Sequence, residues 1–108
     1  MFMRFLAENF PEFTEMSDNL DMMYEQKRMI DEKTYQFICL ALAIKGRSAP
    51  CVKKHFNGAI QAGATPKEIS YIIALTIRES AGNDDCWVHD ILGDTRELLK
   101  PNVKCCDK

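Results

Sequence analysis

The feature that most constrains this chain is the run Gly63-Ala64-Thr65-Pro66-Lys67-Glu68, in which a helix stop is followed at once by a helix start. Glycine ends helices because it enters the left-handed conformation without a Cβ clash. Thr65 is an N-cap, Pro66 suits the first helical position, and Glu68 is placed to reach back and complete a capping box. A chain that turns this sharply between helices must fold as helices packed across tight corners.

The rest of the sequence repeats that logic. Pro11, Glu12 and Glu15 open a helix expected over 11–26, with Phe13, Met16, Leu20, Met23 and Lys27 along one face. Asp31 caps the next helix, "DEKTYQFICLALAIKG", whose second half is apolar all round, the mark of burial on most sides. Gly46 ends it. Ser48 or Ala49 caps a third helix with Pro50 in its first turn and Val52, Phe56, Ala59 and Ile60 as its core stripe. Beyond Thr65, the residues Ile69, Ile72, Ile73, Thr76 and Ile77 make a buried face. The segment "SAGND" is expected to break that helix, and Asn83 to cap a last one bearing Trp87, Val88, Ile91, Leu92, Leu98 and Leu99 up to Pro101. No segment alternates as a strand would. The expectation is an all-α, single-domain helical bundle of five or six helices over residues 1–100, followed by a flexible tail over 101–108.

Composition narrows the function classes. The chain has 108 residues, 46% hydrophobic and 28% charged, with net charge −2 and both signs interspersed, so it reads as a globular domain. No basic patch or arm marks it for nucleic acid. Its longest apolar run, "FICLALAI", is too short to span a membrane, and the start lacks the pattern of a secretory signal. A cytoplasmic location is the expectation. Five cysteines, at 39, 51, 86, 105 and 106, then imply reduced thiols rather than a disulfide framework. Six Met and six Phe on short helices exceed what so small an interior can hide, which points to association through helix faces.

The chemistry concentrates in "RSAPCVKKHFNG". Cys51 falls in the first turn of a helix, where unpaired backbone N–H groups and the helix dipole favour a thiolate. His55 follows at i+4, on the same face, placed to exchange a proton with the sulfur. Lys54 adds positive potential. A cysteine packed as a small apolar residue beside a surface histidine has the same spacing, so the pair alone leaves both readings open.

Context adds weight. The "IDEK" opening, an apolar helix, the Cys51/His55 segment and then "AIQAGATPKEI" resemble the carboxymuconolactone decarboxylase family, including its alkylhydroperoxidase D-like branch, over residues 28–82. The resemblance implies an alkylhydroperoxidase D-like bundle assembled as a trimer or hexamer, with a small-molecule substrate, a redox partner protein and no cofactor. In the redox branch, two cysteines of a Cys-x-x-Cys-x-x-x-His motif form a dithiol, and a histidine and a glutamate relay protons to it. Carried over, the second cysteine is Cys51 and the histidine is His55, whereas Ser48 replaces the first cysteine and Gln36 the glutamate. Serine forms no disulfide, and an amide does not relay protons as a carboxylate does.

Three functions follow from that mixture. The first is a single-cysteine thiol oxidoreductase of peroxidase or antioxidant type, with Cys51 as nucleophile, His55 as proton partner, and Ser48 and Gln36 as polar neighbours. The second is a decarboxylase or isomerase acting on a small lactone or carboxylate, with His55 as acid/base and Arg47, Lys53, Lys54 and Arg78 as candidate anion contacts. The third is a non-catalytic oligomeric or small-molecule-binding protein. Cys39, three residues after Gln36, is a candidate resolving thiol if it faces Cys51 with a Cα separation under ~7 Å. The tail pair Cys105 and Cys106 is another. A second cluster, Asp84, Asp85, Cys86, His89 and Asp90, has ligand-like spacing, but acids opening a helix account for it through the dipole. No metal is expected.

Overall fold

In a computed structural model, which describes residues 4–101, every regular element among the described residues is a helix. Six helices follow in order: α1 (Arg4–Asn9), α2 (Pro11–Gln26), α3 (Glu32–Lys45), α4 (Ala49–Gln61), α5 (Pro66–Leu92) and α6 (Thr95–Leu98). The all-α expectation holds. The expected tail beyond residue 101, with Cys105 and Cys106, lies outside the described residues.

The corners form as their sequences dictate. Asp31 caps α3 by accepting from the Thr34 N–H at 3.1 Å and from the Thr34 hydroxyl at 2.6 Å. Those bonds hold its carboxyl below the usual value. Gly63 stands at φ +94 after α4, and the Ala64 N–H closes on the Ala59 carbonyl at 2.9 Å. Thr65 and Glu68 then complete the capping box, with bonds of 2.9 and 3.1 Å. Lys33 Nζ reaches Glu68 Oε2 at 3.0 Å and ties the start of α3 to the start of α5. The α3–α4 corner departs from expectation. Gly46 keeps a right-handed φ of −78, and the left-handed residue is Arg47 at φ 58. The Ser48 N–H there bonds the Ala43 carbonyl at 3.0 Å, closing α3 one residue later than glycine would.

Two expectations are corrected. The "SAGND" segment does not break a helix, since α5 runs unbroken from Pro66 to Leu92. A lone interior glycine costs about 1 kcal/mol, too little to stop a helix that no proline interrupts. Ser80 satisfies its hydroxyl on the Thr76 carbonyl at 2.8 Å, within the same helix. The true stop is Gly93 at φ 60, after which Asp94 caps the short α6. Asn83 is therefore not an N-cap, and Asp84 and Asp85 lie inside α5 rather than in a first helical turn.

The core gathers where α3, α4 and α5 cross. Leu40 and Ala59 are wholly buried, Ile69 and Ala64 almost so, with Phe37, Ile44, Val52, Ile72 and Ile73 packed around them. Thr76 is buried and bonds the Ile72 carbonyl at 2.8 Å. The other expected stripes have no such cover. On α2, Met16 is 73% exposed, and Phe13, Leu20 and Met23 are exposed too. On the distal half of α5, Trp87 is 66% exposed, with Ile91, Val88 and Leu92 beside it. Phe56, Ile60 and Ile77 are also exposed rather than core. The radius of gyration is 20.9 Å, against about 13 Å for a compact domain of this length. Periodicity correctly marked these faces as apolar, but the protomer folds only its middle around a core of its own.

Candidate functional site

The site is set by the α3–α4 crossing. Ser48 is the N-cap residue of α4, in extended conformation, and its side chain makes no capping bond. Pro50 fills the first turn. Cys51 follows within that turn, exposed and free. One turn later comes His55, half-buried against α3.

On α3, the side chain of Gln36 meets this histidine. Its Oε1 lies 2.8 Å from His55 Nδ1. Its Nε2 donates to Glu32 Oε1 at 3.2 Å, one turn back along α3. Glu32 is in turn paired through its other oxygen with the Arg28 guanidinium, which also holds Glu25 at 2.7 Å and lies 3.9 Å from the centroid of the Tyr35 ring. Gly58 makes the contact feasible. A Cβ at that position would collide with the Gln36 amide, so only glycine lets the amide lie against the α4 backbone. Burial first, and the Lys54 charge second, lower the pKa of His55 below its ordinary 6.5 and favour the neutral ring.

The structure thus brings Gln36 to His55, across two helices, at hydrogen-bond distance. Ser48, Cys51 and His55 share the first turns of α4. Cys39 is half-buried and free, one turn beyond Tyr35. The Tyr35 hydroxyl is pushed above its ordinary value by burial and by the neighbouring Cys39 thiol. The second cluster stays apart. His89 Nδ1 sits 2.9 Å from the Asp85 carbonyl and 3.3 Å from the Asp85 carboxylate, a local contact within α5. Among the described residues no group of three or more His, Cys, Asp or Glu side chains is arranged to hold a metal ion.

Glu32, Arg28 and Gly58 carry part of this arrangement and were not singled out from the sequence. The i, i+4 spacing of Glu32 and Gln36 was readable. Gly58, one turn past His55, was also a signal, since a mid-helix glycine costs stability unless something needs its space. Arg28 precedes α3, yet it stands three residues after Glu25 and four before Glu32, so its spacing to both partners was readable as well.

No helix is long and apolar enough to cross a membrane among the described residues. No similar protein is found among curated sequences. The profile of the carboxymuconolactone decarboxylase family matches residues 11–82, which takes in α2, α3, α4 and α5 as far as Gly82. That span contains the corners between α2 and α5 and every residue of the site at the α3–α4 crossing, and by it the chain belongs to the carboxymuconolactone decarboxylase family.

Proposed function

We propose that the protein is a thiol oxidoreductase that reduces peroxides through a single cysteine, Cys51, with His55 as its proton partner. The observation that carries this reading is an exposed cysteine in the first turn of α4, one turn before a half-buried histidine braced from α3. The helix N-terminus favours the anionic sulfur, and the neutral imidazole is the form able to take its proton. The thiolate attacks the peroxide, forming an S–O bond as the O–O bond breaks. The departing alkoxide takes the proton from the imidazolium, leaving an alcohol and a Cys51 sulfenic acid. A first external thiol converts the sulfenic acid to a mixed disulfide and water, and a second thiol releases Cys51. Ser48 takes the place of an internal resolving thiol and offers a hydroxyl to the oxidised sulfur instead.

A second reading has one observation in its favour. His55 is held and kept neutral by contacts that do not involve Cys51. A histidine so prepared could serve as acid/base on a small carboxylate, with the thiol a bystander. In either case we propose that the working form is a homo-oligomer, because the exposed stripes of α2 and α5 find no core within the protomer.

The deciding experiment follows peroxide consumption in the presence of an external dithiol, for the parent and for Cys51→Ser and His55→Ala. Loss in both variants supports the thiol reading. Unchanged consumption in Cys51→Ser ends it, and retained conversion of a lactone carboxylate by Cys51→Ser, lost in His55→Ala, establishes the second.

A further inference from the structure

We infer that Glu32 is a positioning residue that fixes the tautomer of His55 through the side-chain amide of Gln36. The argument begins with what each group is able to do. An ionised carboxylate only accepts hydrogen bonds. Glu32 is kept in that form by its ion pair with Arg28, whose guanidinium is always charged. Facing Glu32 Oε1 at 3.2 Å, the Gln36 amide must therefore present its nitrogen. Its oxygen then points the other way, to His55 Nδ1 at 2.8 Å. An amide oxygen has no proton to give, so Nδ1 carries the hydrogen and donates. Nε2 is left with the lone pair, the base that a reaction on the exposed side of α4 needs.

Glycine at 58 closes the argument sterically. The Gln36 amide lies in the space that a Cβ would fill, which holds it between Glu32 and His55. A neutral amide alone accepts either orientation, and so either imidazole tautomer. The carboxylate one turn away removes that choice. Direct carboxylate–histidine contact would also raise the basicity of the ring, whereas contact relayed through an amide orients it while leaving it neutral.

The inference rests on the proposed thiol chemistry only for what the Nε2 lone pair is used for, and its test is separate from activity. Long-range proton–nitrogen correlation spectra of the ¹⁵N-labelled protein, above the His55 titration, read the tautomer directly, with His89→Gln used to assign the two rings. The parent should show the Nδ1–H form alone. In Glu32→Gln, nearly the same shape without the charge, the Nε2–H form should rise to a share on the order of half, because both amide orientations become equivalent. Glu32→Ala should do the same, and Glu32→Gln keeps the test decisive if the alanine variant unfolds. A pure Nδ1–H ring in folded Glu32→Gln overturns the inference, whatever the peroxide assay gives. An altered tautomer with no peroxide activity in the parent upholds it and counts against the thiol reading alone.

Discussion

Gln36 on α3 and His55 on α4 are joined by a 2.8 Å contact between Oε1 and Nδ1, a side-chain hydrogen bond from one helix to the other. It converts a loose cysteine–histidine spacing on one helix into a braced site. The histidine cannot rotate freely once its inner nitrogen is engaged, so its outer nitrogen keeps one direction relative to the first turn of α4.

Burial and Lys54 together keep His55 neutral, so its titration should fall below 6.5, and Lys54→Met should move it back up. The sign for stability follows from that direction. A depressed folded-state value means that the unfolded chain binds the proton more readily. The contribution is whole above about pH 6.5 and is lost as pH falls through the folded-state value. A ¹H NMR titration of the ring, beside urea melts across pH 5–7, checks both halves.

Gly58→Ala sets two effects against each other. Alanine favours the helix by about 1 kcal/mol, but its Cβ collides with the Gln36 amide. The expected outcome is a folded protein in which the amide has left His55. Peroxide turnover should fall while the helical circular dichroism stays unchanged. Gly58→Ala, Gln36→Ala together should recover the helix-propensity gain without the collision, and a denaturation midpoint above that of Gln36→Ala alone checks it.

Arg47 adopts φ 58, which costs a residue with a Cβ on the order of 1 kcal/mol. Arg47→Gly should relieve it and raise the unfolding free energy by about 0.5–1 kcal/mol, read from urea denaturation. If activity falls despite that gain, the guanidinium contributes to substrate capture rather than to the corner.

Leu40 fills the centre of the only crossing that is fully packed among the described residues, and it is wholly buried there. Leu40→Ala should cost about 3 kcal/mol, since the void cannot collapse between three helices. Met16→Ala, at an exposed site of the α2 stripe, should cost little in the isolated protomer and shift the concentration dependence of the melt if that stripe lies in a subunit contact. Thermal melts across a hundredfold range of protein concentration separate the two cases.

The sequence by itself determined α2, α3, α4, the start of α5 and the family, whereas α1, the full length of α5 and the separate α6 were not legible in it. Thr65 with Glu68, Asp31 with Thr34 and the glycine at 63 act through bonds that close within one turn, so their outcome is settled locally. "SAGND" misled because a single glycine among good helix formers weakens a helix without ending one, and Gly46 misled because the left-handed residue fell one place later. Only the tertiary structure decided that Gln36 meets His55, that Gly58 is the slot for the amide, and that Glu32 stands behind it. It also decided which apolar stripes found a core, since Leu40 and Ile69 did while Met16 and Trp87 did not. The physical reason is common to both. A period of 3.6 residues tells which face of a helix is apolar, but which helix that face meets, and at what angle, depends on how ridges and small residues of two separate helices fit together.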